Sequence, residues 1–329
     1  MIVIKRYSVE YKEKWDAFVE TAKNGTFMLK RDYMDYHSDR FEDHSLLFYR
    51  DDELIALLPA SLHGDELRSH GGLTYGGMIC GYDMKQHIMD DCIAALVDYM
   101  KSNAINTLIY KPMPYIYHHY PCEEDLYSLW RNGAKLVRRD VSTTIEFVEN
   151  PIKLPKGRKA QISRAKREGI MVCQSDDFET FIALENKVLS QYHQTKAVHT
   201  AAELRLLHSR FPEQIKLFVS MHENEMVAGI LLFIYDNMVH TQYMASSEFG
   251  RENGALDLLI ATIIDEYKQQ KRYLDFGIST EDAGKILNAG LISQKEGFGG
   301  RSVVYDMYEL PVAADGQPTV SRQSEQLLV

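Results

Sequence analysis

The feature that most constrains the fold is an order of structural elements that occurs twice along the 329-residue chain. Two apolar runs around a two-residue turn precede a long amphipathic helix and a further strand, first over residues 45–111 and again over 214–278. The offset between matching positions drifts slowly, from 172 residues between Leu54 and Met226 to 157 residues between Asn132 and Ala289. A preserved order with a drifting offset predicts a duplicated unit, although α+β proteins also share such strings by chance.

Length and composition agree with two separate cores. A chain of 329 residues is long for one core, and its 45% hydrophobic and 26% charged residues are typical of globular proteins. Asn150 and Pro151 interrupt regular structure near the middle of the chain. We therefore predict one domain over 1–150, a second domain over 151–312 and a polar tail over 313–329.

The charge balance and the apolar runs limit the classes of partner. A formal net charge of −10 excludes a general nucleic-acid binder, because phosphate binding needs a basic face. The four apolar residues at the start of the chain are followed at once by Lys5 and Arg6, which is not the pattern of a signal peptide. No run approaches the roughly 18 apolar residues of a membrane-spanning helix. We expect a cytoplasmic protein that does not span a membrane.

Cysteine spacing argues against a bound metal. No Cys-x-x-Cys pair occurs among the four cysteines, which are Cys80, Cys92, Cys122 and Cys173. Structural zinc sites use closely spaced ligands. We therefore predict no metal cofactor and interpret these residues as free buried thiols.

Three motifs carry a family resemblance in the second half of the chain. They are GRKAQISRAKREG at 157–169, YLDFGIST at 273–280 and NAGLISQKEGFGG at 288–300. This half resembles the FemAB-like branch of the GNAT acetyltransferase superfamily. The first half, through LIALLPA at 54–60 and the segment before it, resembles the N-terminal domain of the same group. The resemblance covers most of residues 1–310 and implies an α+β fold of two tandem GNAT-like domains, each a mixed, mostly antiparallel sheet flanked by helices.

The resemblance implies an acyltransferase, and it leaves the donor and the acceptor open. The leading interpretation is transfer of an acyl group from acyl-CoA to an amine acceptor, either a small molecule or a cell-envelope precursor. FemAB-type relatives that use aminoacyl-tRNA give an alternative, in which nucleic acid becomes a partner. A degenerate GNAT pair that only binds a ligand is a third interpretation.

The segment from Arg251 to Ala255 predicts where the donor binds. It resembles, with one residue fewer, the Arg-x-x-Gly-x-Gly/Ala loop with which GNAT proteins bind the pyrophosphate of CoA. Free amides at a positive helix end attract phosphate, and Gly254 permits close approach. Asn253 alternatively reads as an ordinary N-cap. The corresponding segment of the first half, 81–84, lacks this pattern, so we place the donor in the second half.

Two residues are predicted to act in catalysis. The resemblance places Lys295 in the catalytic cleft, where its ammonium would stabilise the oxyanion of acyl transfer. We interpret its segment as a strand whose alternation turns Lys295 into the cleft between the domains, so its loss should hardly change the melting temperature. Asp275 ends another strand and is a candidate proton acceptor; the alternatives are a solvated lysine and a turn aspartate.

Further candidates surround these two residues. In GNAT folds the strand of Asp275 splays from the strand over 238–245, and Gln242 and Tyr243 would contact the donor in that gap, which His240 also faces. A basic run over 153–167 contains Arg158, Lys159 and Arg164 as candidate contacts for an anionic substrate. The alternative interpretation of that run is a solvated helix at the domain joint.

Overall fold

Residue contacts divide the chain into two compact units in the computed structural model, which describes residues 1–149, 153–193 and 196–312. One unit is formed by Met1–Arg139 together with the segment from Tyr305, and the other by Asp140–Val304. The predicted joint at Asn150 and the predicted tail over 313–329 lie outside the described residues, so these domain limits stay a prediction.

The first unit contains short strands, two longer helices and several single turns of helix. Its elements are β1 (Ile2–Arg6), α1 (Lys12–Thr21), α2 (Arg31–Met34), β2 (Glu42–Asp43), β3 (Leu46–Arg50), β4 (Glu53–Leu58), β5 (Ser61–His63), β6 (Glu66–Arg68), β7 (Ile79–Cys80), α3 (Gln86–Ser102), β8 (Thr107–Tyr110), α4 (Glu124–Arg131) and the start of β9 (Lys135–Glu146). Turns of 3-10 helix lie at Val9–Tyr11, Phe27–Leu29, Asp35–His37 and Tyr115–Tyr117.

Two groups of strands build the first unit. The antiparallel order β1-β3-β4-β7 forms one sheet, and β8, β6, β5 and β2 are neighbours in the other, with β6 and β8 parallel. The apolar face of α3, with Met89, Cys92 and Leu96, packs into the core of this unit. Alternating apolar residues in β3 and β4 cover the same core, as the two strand-like runs predict.

The second unit starts inside β9 and contains the elements that follow it, as far as Val304 within the last strand. These are α5 (Lys156–Arg167), β10 (Met171–Ser175), α6 (Phe178–His193), α7 (Ala201–Arg210), β11 (Ile215–His222), β12 (Glu225–Ile234), β13 (Met238–Ser246), α8 (Glu248–Glu252), α9 (Ala255–Tyr267), β14 (Tyr273–Ile278), β15 (Thr280–Glu281), β16 (Ile286–Leu287), α10 (Ala289–Glu296) and β17 (Arg301–Pro311).

One sheet organises the second unit, in the order β10-β11-β12-β13-β14-β9. Its neighbours are antiparallel except for the parallel pair β13 and β14. Strand β12 is buried over most of its length because helices cover both faces of the sheet: α9 packs on one face and α6 on the other. The predicted α+β class, with mostly antiparallel sheets flanked by helices, is confirmed.

The order long helix, strand, short helix, strand occurs in both units, as α3-β8-α4-β9 and α9-β14-α10-β17. The limits of the units fall inside the last strand of each series, after Arg139 in β9 and after Val304 in β17. The segment of β9 beyond Arg139 pairs with β14, and the segment of β17 from Tyr305 pairs with β8. Each series therefore ends in a strand that leaves its own unit.

The structure corrects the prediction for the segment over 282–300. We expected a strand through Lys295, but Lys295 lies in helix α10, and β15 and β16 form a small hairpin before that helix. The physical reason is a helix start at Asn288, whose side chain accepts a hydrogen bond of 2.9 Å from the amide of Leu291. Among the described residues no helix is long and apolar enough to cross a membrane.

Candidate functional site

Strands β13 and β14 part inside the second unit. Their parallel pairing covers only three residue pairs and ends where His240 lies beside Asp275. Strand β13 continues to Ser246 and β14 to Ile278 without further pairing between them. The gap that we predicted between these strands is therefore present, and polar side chains lie at its start.

A β-bulge in β13 changes the sheet face on which its side chains lie. Leu231 of β12 pairs with Tyr243, but the next residue pairs with Thr241, so Gln242 is an extra residue in β13. Simple alternation would put His240 and Tyr243 on opposite faces of the sheet. The bulge brings both of them to the face of Gly229, on which Phe181 of α6 packs.

Asp275 is fully buried and accepts several hydrogen bonds. Ser142 donates at 2.5 Å, Thr144 at 2.7 Å and the amide of Gly277 at 3.3 Å, and Nδ1 of His240 lies at 2.8 Å. Burial alone would raise the pKa of Asp275, but His240 and the two hydroxyls hold this pKa below its ordinary value. A buried carboxylate with these donors does not meet an amine directly, so the contacts favour a positioning role for Asp275.

Lys295 lies at the same site although its helix was not predicted. Its side chain is 3% exposed, and Nζ donates hydrogen bonds of 2.8 Å to the carbonyls of Gly277 and Ile278. Burial lowers the pKa of Lys295 to about 8, and the negative charge of Asp275 opposes this shift. Strand alternation is therefore the wrong reason for its orientation, because Lys295 lies in a helix and its ammonium bonds two carbonyls of β14. Its catalytic role stays a prediction.

The segment from Arg251 to Ala255 does not present the free amides that we expected. The amide of Arg251 donates to the carbonyl of Ser247 at 2.9 Å, and the amide of Asn253 donates to Phe249 at 3.0 Å. Both bonds belong to α8, a short helix that the partial loop motif did not predict. The expectation of open amides at these two residues is wrong, and their binding to a donor stays a prediction.

Gly254 lies in close contact with the backbone of α5. Its φ of 71° is left-handed, and a Cβ at this position would lie 2.5 Å from the carbonyl oxygen of Gln161. Ala255, the first residue of α9, is fully buried. The glycine is thus explained by helix packing as well as by its backbone conformation.

We predict that Gly254→Ala lowers the free energy of unfolding by at least about 2 kcal/mol, because the left-handed conformation and the backbone clash both oppose a side chain. Urea unfolding at neutral pH measures this loss. Gly169→Ala is the matched control: φ is 74° there, but nothing lies within 4 Å of the added Cβ. Equal losses in the two variants would contradict the packing explanation.

The predicted anion contacts on α5 have different surroundings. Arg158 bonds Asp257 at 2.7 Å and the carbonyl of Gln294 at 3.0 Å, and its guanidinium stacks over the ring of Phe298. These contacts fix Arg158 inside the unit. Lys159 and Arg164 are exposed, so they are the members of the predicted trio that can meet a ligand.

Two residues at this site were missed from the sequence. Glu185 of α6 is 5% exposed, and His199 lies 2.6 Å through Nδ1 from the hydroxyl of Tyr243. A signal was present for Glu185: it follows Phe178, Phe181 and Ile182 on the apolar stripe of α6, where a carboxylate is unusual. No comparable pattern marks His199.

The first unit has a cavity at residues 81–84, the segment in which we predicted no donor binding. Its volume is about 560 Å³, and Gly81, Tyr82, Asp83 and Met84 line it next to the start of α3. Among the described residues, no group of three or more histidines, cysteines or carboxylates is arranged to hold a metal ion. Of the four cysteines, Cys173 is exposed, which corrects the expectation that all are buried.

Comparisons with known proteins agree with this architecture. Residues 156–283 match a family model described as an acetyltransferase (GNAT) domain. A search of curated proteins found no match to the sequence. The structure of FemX is similar, with a TM-score of 0.66 and 12% identity over 93% of this chain and 97% of that chain.

Two further solved structures share the fold. L-PGS from Bacillus licheniformis has a TM-score of 0.62 and 15% identity, covering 91% of each chain. A tandem GNAT protein from the clavulanic acid biosynthesis pathway has a TM-score of 0.52 and 10% identity over 95% of this chain and 99% of that chain. Such identities show the fold alone, whereas the family model identifies the enzyme class. Residues 156–283 of this chain therefore form a GNAT acetyltransferase domain. The chain as a whole shares the fold of FemX and of the tandem GNAT protein, which confirms the predicted fold class of two tandem GNAT-like domains.

Proposed function

We propose that this protein transfers an acyl group from acyl-CoA to an amine acceptor, and that the chemistry takes place where β13 and β14 part. The observation that carries the proposal is the coincidence of the GNAT match over 156–283 with that gap and with the pair formed by Asp275 and His240. The acceptor class that we propose is a cell-envelope precursor, because the FemAB-like resemblance implies such acceptors and the solved structures that share this fold include FemX and L-PGS. A cytoplasmic location belongs to the same proposal.

The described side chains include candidate groups for the steps of this reaction. Amine attack on a thioester places negative charge on the carbonyl oxygen, and a fixed cation or N–H donor nearby lowers that barrier. An ammonium has three N–H donors, and Lys295 uses two of them on strand carbonyls. The third can meet the developing oxyanion. Asp275 holds the imidazole of His240 at the gap.

The donor phosphates need positive groups other than the amides of Arg251 and Asn253. Helix α5 packs on α9 beside its start, and Lys159 and Arg164 are exposed on α5. We propose that these two cations contact the phosphates of the donor, together with the positive end of α9.

A binding experiment tests the donor. Acetyl-CoA and CoA should raise the melting temperature in a concentration-dependent manner, and the double variant Lys159→Glu, Arg164→Glu should weaken this effect at least about tenfold in ligand concentration. Lys187→Glu, on α6, is the control for charge reversal. No shift with either CoA compound would contradict acyl-CoA as donor.

A second candidate donor is aminoacyl-tRNA. The exposed cations of α5 and the closed amides at Arg251 and Asn253 favour it, because a nucleic acid needs a basic surface and does not need a pyrophosphate loop. A lysyl-tRNA that shifts the melting temperature while CoA does not would establish this alternative.

A further inference from the structure

A buried carboxylate lies next to the proposed reaction site and has no role in the steps above. Glu185 projects from α6, the helix that covers the sheet face bearing His240 and Tyr243. Its Oε2 atom is buried and has no hydrogen-bond partner among the described residues. Leaving such an acceptor unsatisfied is costly, and a carboxylate is retained at this cost where it has a chemical use.

The electrostatic surroundings of Glu185 come from burial rather than from charged neighbours. Burial raises the pKa of Glu185 to about 7. Burial raises the pKa of Tyr243 in β13 to about 12, and the charge of Glu185 adds to that shift. Nδ1 of His199 lies 2.6 Å from the hydroxyl of Tyr243, and His240 lies on the same sheet face as Tyr243.

Among the described residues, the other elements around α6 bring no countercharge that shifts the pKa of Glu185. The β12 residues on the covered face are apolar or glycine, since Gly229, Leu231 and Phe233 alternate there. From α7, Arg205 meets Glu179 and His208 lies against Phe178, both near the start of α6. Desolvation by burial is therefore the cause that raises the pKa of Glu185.

We propose that Glu185 is the catalytic base of this enzyme and accepts the proton that the acceptor amine loses. This inference rests on the proposed function. In the step, the amine nitrogen bonds to the thioester carbonyl carbon and the carbon–sulfur bond breaks. The nitrogen's proton passes to the carboxylate of Glu185 and then to the departing thiolate, which leaves as the free thiol of CoA.

The assignment also defines the acceptor class. A base that titrates near neutrality suits an alkylamine, whose nitrogen must lose a proton as it attacks. A desolvated carboxylate beside apolar strand residues also attracts the ammonium form of such an amine during binding. The substrate class is therefore a primary amine, and a hydroxyl acceptor would bring no cation to this carboxylate.

Rates measured against pH test the proposal. Acetyl-CoA and lysyl-tRNA are tried as donors with a peptidoglycan precursor that carries a free amine and with lysine, glucosamine and spermidine, and the most active pair is used. Wild-type kcat/KM should rise with pH through about 7. Glu185→Gln should be at least about 100-fold slower and should lose that rise, while Glu185→Asp keeps part of the rate. Glu179→Gln, an exposed carboxylate on the same helix, should behave as wild type.

Each outcome decides the matter. A Glu185→Gln enzyme that keeps the rise near pH 7, at full or reduced rate, overturns the assignment, because a structural residue lowers the rate without removing that titration. A wild-type enzyme inactive with every pair refutes the proposed function and this inference with it. Melting at pH 8 checks folding: Glu185→Gln should melt no lower than wild type, since it removes a desolvated charge.

Discussion

Replacing Lys295 with alanine should lower turnover at least about 100-fold, which is the usual loss when one oriented donor to an oxyanion is removed. It should also lower the free energy of unfolding by about 2–4 kcal/mol, because two strand carbonyls lose their donor and a buried side chain leaves a cavity. The nearly unchanged melting temperature expected for an open cleft lysine does not apply to a side chain that is 3% exposed.

Lys295→Met separates the two effects. Methionine fills most of the volume, so this variant should be more stable than Lys295→Ala and yet as slow. Because the pKa of Lys295 is lowered to about 8, wild-type turnover should fall above that pH as the cation is lost. Lys285→Ala, an exposed lysine in the hairpin between β15 and β16, is the control. A Lys295→Met enzyme with wild-type turnover would remove the lysine from the mechanism.

Asp275→Ala should cost about 3–5 kcal/mol of unfolding free energy at pH 7, because the buried donors around it lose their acceptor together. Turnover should fall as well, since His240 loses its orientation. Urea unfolding and steady-state rates measure the two losses. Asp282→Asn, on the exposed hairpin turn, should change neither. A stability loss below about 1 kcal/mol would contradict the contacts described for Asp275.

The same carboxylate gives a pH dependence with a definite sign. Its pKa is lower in the folded protein than its ordinary value of 3.8, so its contribution to stability is present above pH 3.8. That contribution is lost as the pH falls through the lower folded-state value. Below pH 4 the wild-type protein should therefore lose stability more steeply than Asp275→Asn, and parallel curves would contradict the assignment.

The element order was predictable because it depends on local patterns. Apolar runs around the turns at Asp51-Asp52 and Glu223-Asn224 form strand pairs, and the apolar stripes of α3 and α9 form the long helices. The helix over Lys295 was also readable in principle, because Asn288 is a good N-cap. The family motif identified Lys295 as a candidate. The strand that we expected for its segment is not compatible with a helix that begins after Asn288.

The geometry of the site depends on pairing between distant segments. Gln242 becomes an extra residue only when β13 pairs with β12, so the common face of His240 and Tyr243 cannot be read from β13 alone. Likewise, Ser142 and Thr144 reach Asp275 only because β9 pairs with β14. Local sequence patterns identify these residues as strand residues and say nothing of their partners.

The partial phosphate motif failed for a different reason. Gly254 is required because α5 packs closely against the start of α9. A short sequence pattern cannot distinguish the close approach of a backbone from the close approach of a ligand. Glu185 is the opposite case, because a carboxylate on the apolar stripe of α6 can be identified from the sequence as an unusual buried residue.

A crystal structure with acetyl-CoA bound tests the central claim most directly, because it locates the reacting carbon. We expect the thioester between β13 and β14 beyond His240, on the face covered by α6 and beside Tyr243, with phosphates toward Lys159 and Arg164. Electron density for the acetyl group in the first unit, in the cavity lined by residues 81–84, would contradict the account and move the chemistry to the other half of the chain.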